Sequence, residues 1–283
     1  MQNYDTSNRY AATVVSNRRL TPTTTEEVRE LVLDVEGDDL ALDVGQSIGV
    51  LAPGQSEFGQ EEHLRLYSVS DLPSRATSGA ARIKLTVKRC FYVDDYSGER
   101  YPGRASNYLC DRQAGEHISL TGPYGLPFEV PAEKDALLIL VATSTGIAPF
   151  RAFIKHLFQP GSDFQGRVLL FYGGRRAIDL IYLDEAEDDL ALYRDQEAFN
   201  AYQAVSSRPH WTDAIDWGPA LAESGEGFWE ALESTRTYVY VAGLEKDQEG
   251  LHEALAGLAG NASTFARRRA EMQAGRRWVE LLY

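Results

Sequence analysis

Hydrophobic and polar positions follow two rhythms along this chain, and the change falls near Pro131. Before it, short segments of strand character succeed one another: Ala11–Arg18, Val28–Val35, Ser47–Leu51, Leu64–Val69, Arg82–Arg89 and His117–Thr121. Ile83, Leu85 and Val87 alternate with Lys84, Thr86 and Lys88, the period of a half-buried strand. Gly and Pro punctuate the gaps, as at Pro53-Gly54, Pro102-Gly103 and Gly122-Pro123. Gln55–Glu62 reads as a loop. Strands spaced in this way predict a barrel or a sandwich. After Pro131, strands alternate with helices. Strands are expected at Leu137–Ala142, Val168–Tyr172, near Tyr202–Ser206, at Tyr238–Ala242 and at Trp278–Leu282. Helices are expected up to Phe158 and near Asp179–Leu190, Pro219–Leu232, Asp247–Leu258 and Thr264–Gln273. This alternation predicts an α/β doubly wound parallel sheet. The domains are set at 1–132 and 133–283.

The sharpest local signal is Leu137–Phe150. Leu137–Val141 is an apolar run suited to a fully buried parallel strand. Thr143–Gly146 are small enough for a ligand to approach the backbone, and Pro149 suits the first turn of a helix. Phe150, Phe153, Ile154, Leu157 and Phe158 then mark one helical face. A strand, a tight turn and a helix start make an anion site, whose natural ligand is a dinucleotide pyrophosphate. Neither G-x-G-x-x-G nor G-x-x-x-x-G-K-[ST] occurs. Ligands of such sheets bind at the carboxyl ends of the strands, where Thr143, Gly173-Gly174, Ser206-Ser207-Arg208 and Gly243 fall.

Composition narrows the possibilities. The chain has 283 residues, 43% of them hydrophobic, which is material for two cores. No stretch approaches the length of a membrane span. The first residues show no secretion signal, so a cytoplasmic protein is expected. Cys90 and Cys110 cannot hold an iron–sulfur cluster, and the histidines show no metal spacing. A net charge of −14 argues against nucleic-acid binding. Two islands run the other way. Arg82–Arg112 carries seven basic residues against four acids, and Ser263–Arg277 carries five arginines against Glu271. Such islands suit local recognition of anions.

Arg65-Leu66-Tyr67-Ser68 is a second anchor, because a strand there points Arg65 and Tyr67 the same way. Arginine pairs with phosphate, and an aromatic ring stacks on a flat cofactor. Together with Gly103–Asp111, Gly122–Gly125, Thr143–Phe150, Tyr238–Gly243 and Trp278–Tyr283, this motif resembles plant-type ferredoxin–NADP reductase, in that family's order. The resemblance implies an antiparallel FAD-binding β-barrel followed by an NADP-binding α/β domain. Its implied FAD contacts are Arg65, Leu66, Tyr67, Ser68, Lys88, Tyr92, Ala105, Ser106, Thr145 and Tyr283. Tyr67 and Tyr283 would clasp the isoalloxazine, Arg65 and Ser106 would hold the pyrophosphate, and Tyr92 would stack on adenine. Its implied NADP contacts are Thr143, Gly146, Pro149, Gly174, Arg175, Ser207, Arg208, Gly243 and Leu244. Ser68, Tyr283 and Glu280 would be catalytic, with no metal.

Four departures qualify the resemblance. Ser144 stands where the family usually has Gly, and Ala242 where it has a cysteine. Glu280 lies three residues before the last, where the family's carboxylate lies two before, the position of Leu281. The Lys-x-Tyr that follows the Ser-Arg pair is replaced, at nearest, by Asp216-Trp217, and an Asp there would repel a 2′-phosphate. The expected activity is electron transfer between NADPH and a separate acidic carrier, ferredoxin or flavodoxin, by a monomer with FAD. The alternatives are an NADH-fed reductase of an oxygenase system and a non-catalytic regulatory subunit.

Overall fold

The structure, a computed structural model, describes residues 4–37, 40–55, 59–94, 96–125, 128–183, 190, 197–209, 214–225 and 227–283. The chain forms two compact units, Met1–Leu126 and Pro127–Tyr283. The change of rhythm near Pro131 thus lies a few residues inside the second unit.

The first unit contains β1 (Arg9–Arg19), β2 (Val28–Val35), β3 (Ser47–Gln55), β4 (Gln60–Ser68), β5 (Ser74–Arg75) and β6 (Ala81–Lys88). A small hairpin of β7 (Phe91–Val93) and β8 (Arg100–Pro102) leads to helix α1 (Arg104–Cys110), and β9 (His117–Tyr124) closes the unit. Seven strands pair antiparallel in the order β4-β3-β9-β1-β2-β6-β5. The sheet curls back on itself, because Val69, one residue past β4, bridges Leu85 of β6. Alternation decides what goes inside. Ile83, Leu85 and Val87 are buried with Leu31, Leu33, Ile48, Val50 and Leu120. Each such side chain contributes about 1.5–3 kcal/mol of transfer free energy. Outward-facing Arg82 instead pairs with Asp34 on β2. Of the predicted loop Gln55–Glu62, Gln55 belongs to β3 and Gln60–Glu62 to β4, and residues 56–58 lie outside the described residues.

The second unit is a five-stranded parallel sheet of β10 (Leu137–Thr143), β11 (Arg167–Gly174), β12 (Phe199–Val205), β13 (Thr237–Gly243) and β14 (Trp278–Leu282). Its helices are α2 (Ile147–Phe158), α3 (Gly218–Glu223), α4 (Phe228–Glu233), α5 (Gln248–Leu258) and α6 (Ala262–Ala274). The strand order is β12-β11-β10-β13-β14, so the winding reverses between β10 and β13. Both faces are covered, as a parallel sheet requires. Phe128, Phe150 and Phe153 pack with Tyr240 on one face. Leu221, Phe228, Leu251, Phe265 and Met272 cluster with Val141, Phe171, Val241 and Trp278 on the other.

Two helix expectations are corrected. The helix near Pro219–Leu232 is two helices, because Gly225 and Gly227 adopt φ of +97° and +93°, which no helix accommodates. Of the expected helix near Asp179–Leu190, residues 184–189 lie outside the described residues, while Ala177–Asp179 forms a single 3₁₀ turn and residues 180–183 are not helical. Among the described residues no helix is long and apolar enough to cross a membrane.

Candidate functional site

The ends of β10 and β13 lie side by side where the winding reverses, the place at which open α/β sheets bind ligands. Thr143 ends β10, a single turn over Ser144–Gly146 follows, and α2 begins. Sequence explains the close fit. A Cβ on Gly146 would lie 2.0 Å from the Ala242 carbonyl oxygen. A Cβ on Gly243, whose φ is +147°, would lie 2.0 Å from Thr143 Oγ1. That oxygen instead accepts a hydrogen bond from the Leu244 N–H at 3.0 Å. Pro149, buried in the first turn of α2, loses no helical hydrogen bond there. The crevice therefore has a floor of bare backbone beside the start of α2.

Tyr283 extends β14 along the same crevice. Its N–H donates to Gly243 O at 3.1 Å, and its carbonyl accepts from Glu245 N–H. Its hydroxyl bonds the hydroxyl of Thr145 at 2.7 Å, so an expected flavin contact and an expected stacking ring are joined. Beneath the turn, buried Tyr172 of β11 donates to Ser144 O at 3.1 Å and accepts from Ile181 N–H at 3.2 Å. Burial pushes the Tyr172 phenol pKa well up, so it stays a donor.

The remaining nucleotide candidates gather at the ends of β11 and β12. Gly174 pairs with Val205, Arg175 O accepts from Ser206 N–H, and Ser206 Oγ accepts from Arg208 N–H. Arg175, Ser207 and Arg208 are exposed. Asp216 joins them, since its N–H donates to Val205 O and its carboxylate accepts from Gly218 N–H at the start of α3.

Glu280 faces away from this group. Strand alternation places it with Trp278 and Leu282, on the side of α6. Both its oxygens are engaged by the Arg269 guanidinium at 2.6–3.0 Å, and Oε1 also accepts from Trp278 Nε1. Burial pulls its pKa up, but the hydrogen bonds from Arg269 and Trp278 and the Arg269 charge outweigh this and hold it below the carboxylate range.

In the first unit, alternation on β4 sets Arg65 and Tyr67 on one face and Leu66 and Ser68 on the other. Burial pushes the Tyr67 phenol up, and the Arg65 charge partly opposes it. His63 shares that face; burial first, then the charges of Arg104 and Arg65, lowers its pKa. Arg65 and Arg104, the first residue of α1, thus form one cationic patch around a His63 imidazole that they hold toward its neutral form. Ser106 donates to Gly103 O and accepts from Cys90 N–H, which fastens the α1 loop, and Ala105 is buried behind it. Tyr92 is exposed and stacks on Tyr101 across the hairpin, with ring centroids 5.3 Å apart. Lys88 pairs with Glu26 at 2.6 Å, and Ser68 Oγ lies 3.4 Å from Ser47 Oγ. Among the described residues no cluster of metal ligands occurs. Sequence reasoning missed Tyr172, Tyr101, Arg104 and Arg269. Only Tyr172 left a trace, as a polar-tipped ring at the end of a buried apolar strand.

With an antiparallel unit followed by a doubly wound parallel unit, the chain has the build of an oxidoreductase with an NAD(P)-binding domain. A family model described as "Oxidoreductase NAD-binding domain" matches residues 140–250. The chain belongs to the plant-type ferredoxin–NADP reductase family. It is 31% identical over 272 residues to a ferredoxin–NADP reductase of Spirulina sp., covering 91% of this chain and 89% of that one. It is 33% identical over 265 residues to the chloroplastic leaf isozyme 1 of Oryza sativa subsp. indica, covering 91% and 72%. The fold matches a variant ferredoxin–NADP+ reductase from Plasmodium falciparum, solved with 2′P-AMP, at a TM-score of 0.70 and 19% identity, over 99% of this chain and 98% of that one.

Proposed function

We propose that the chain is an FAD-dependent reductase that takes electrons from NADPH and hands them singly to a separate carrier protein, ferredoxin or flavodoxin. The observation that carries this reading is the crevice at the strand reversal. There Thr143, Gly146, Gly243 and Leu244 make a backbone floor, and Tyr283 is tied to Thr145 beside it. The first unit fits FAD. Arg65 and Arg104 supply charge for a pyrophosphate, Tyr92 and Tyr101 offer exposed rings for adenine, and half-buried Tyr67 offers a face for the isoalloxazine. Held by these residues, FAD would supply the chemistry of hydride uptake and one-electron release.

The protein's part is position and access. The Tyr283 ring is held at the turn by its hydroxyl bond to Thr145, and exchanging one such bond for water costs about 1 kcal/mol. The ring can therefore swing aside for nicotinamide while the main-chain bonds to Gly243 and Glu245 stay closed. Ser68, whose hydroxyl lies 3.4 Å from that of Ser47, is the side chain this reading assigns to the flavin edge. Glu280, committed to Arg269, positions β14. Exposed Arg208 and Arg175 suit the 2′-phosphate, the group that the Plasmodium relative's 2′P-AMP carries.

Asp216 favours a second reading, in which its carboxylate accepts the ribose 2′-hydroxyl of NADH and repels a phosphate. Anaerobic reduction of the purified protein by each nucleotide decides. The expected result is a yellow protein reduced faster by NADPH. Arg208→Ala should raise the KM for NADPH about tenfold and leave NADH unchanged, the loss of a charge-assisted hydrogen bond. If NADH is faster and Arg208→Ala changes nothing, the NADH-fed reading replaces the first. A colourless protein that FAD cannot reconstitute overturns both.

A further inference from the structure

Ser144 is not glycine, yet it adopts φ of +51°, a left-handed conformation in which Cβ crowds its own backbone. It sits in the turn between β10 and α2, where the proposed function places the nucleotide. Left alone, such a residue relaxes to negative φ, and the peptide that follows rotates with it. Something must oppose that relaxation. Among the described residues, the side chain that holds the Ser144 carbonyl is Tyr172, whose hydroxyl donates to it at 3.1 Å. The donor is itself fixed. Tyr172 is 1% exposed, and its hydroxyl accepts from Ile181 N–H at 3.2 Å, so it cannot rotate freely. A trans peptide points its C=O and N–H in opposite directions. With the Ser144 carbonyl turned toward Tyr172, the Thr145 N–H is turned away from it, out of the core.

We propose that Tyr172 is a positioning residue for nucleotide binding: its hydroxyl holds Ser144 left-handed and so keeps the Thr145 N–H presented to the dinucleotide. The inference rests on the nucleotide reading of this crevice. Tyr172 itself touches no ligand. It acts through a main-chain carbonyl, so the Ser144 hydroxyl is dispensable, whereas the strain at Ser144 is what makes Tyr172 necessary. Glycine at 144 would adopt the same φ without opposition.

The test is calorimetric titration of the full-length protein with NADP+, with KM and kcat for NADPH measured alongside. Tyr172→Phe should weaken NADP+ binding about tenfold, about 1.4 kcal/mol, the size of the strain released. KM should rise and kcat should hold. Ser144→Ala should bind like the wild type, and adding Ser144→Gly to Tyr172→Phe should restore binding to within about twofold. Wild-type affinity in Tyr172→Phe overturns the proposal, and so does a double variant as weak as Tyr172→Phe. Should Tyr172→Phe fail to fold, Ser144→Gly must restore the fold, and failure to do so overturns the proposal equally. A wild-type protein that binds neither NADP+ nor NAD+ brings down the nucleotide reading itself, and the proposal with it. The variants distinguish that outcome from the failure of the Tyr172 assignment alone.

Discussion

Glu280 shows how one residue of offset changes what a carboxylate can do. On β14 it shares the α6 side with Trp278 and Leu282, while alternation gives Leu281 the side that Tyr283 faces. The offset was legible in the sequence. The partner was not, because Arg269 lies on α6 and only the fold brings it to β14. The pair is mostly buried, with side-chain exposures of 26% and 16%. Removing one partner leaves a carboxylate stranded, so Arg269→Gln should cost about 2–3 kcal/mol in urea unfolding at pH 7. The pH dependence has a definite sign. The folded pKa of Glu280 is depressed, so its contribution is full above the unfolded value and disappears as pH falls through the folded one. The gap between wild type and Arg269→Gln should therefore narrow below about pH 4. A gap that stays constant to pH 3 would show that the pair contributes no linked stability.

Among elements, legibility followed length and periodicity. β2 and β14 were read end to end from their apolar positions. α1 was missed because seven residues give no helical period and Gly103 provides no side-chain cap. β5, β7 and β8, of two or three residues, carry no alternation to detect. The β10–α2 turn was legible as a small-residue stretch, but its closeness to β13 was not, since nothing local records a neighbour nearly a hundred residues away. That closeness is testable. Gly146→Ala would push a methyl group against backbone at Ala242, so the strand ends must part. The expected cost is about 3 kcal/mol, with a fall in Tm of about 2–4 °C per kcal/mol and loss of nucleotide binding. Gly257→Ala on α5, where an added Cβ meets nothing within 4 Å, should instead be neutral or stabilising by about 0.5–1 kcal/mol. Equal melting temperatures for the two variants would refute this account of the turn.

The charge of the whole molecule looks different once the fold is known. The positive island at Arg82–Arg112 is largely neutralised by acids from elsewhere in the sequence. Arg82 meets Asp34, Lys84 meets Asp71, Lys88 meets Glu26 and Arg89 meets Glu27. The island at Ser263–Arg277 keeps more of its field: Arg267 is 76% exposed and meets Glu271 at a long 4.0 Å, and Arg276 is exposed. Under the proposed function, an acidic carrier approaching a protein of net charge −14 is drawn to that second island. Carrier affinity should fall as salt rises. Arg267→Glu and Arg276→Glu should each weaken it about two- to fivefold and flatten the salt dependence. An affinity indifferent to salt would remove this island from the docking face. Finally, the abutment of Gly146 on Ala242 makes the base of the crevice intolerant of substitution, whereas Arg175, Ser207, Arg208 and Asp216 stand on an open rim. Under the proposed function, lineages or engineers wishing to change which nucleotide this protein prefers have the rim to rewrite and the base to leave alone.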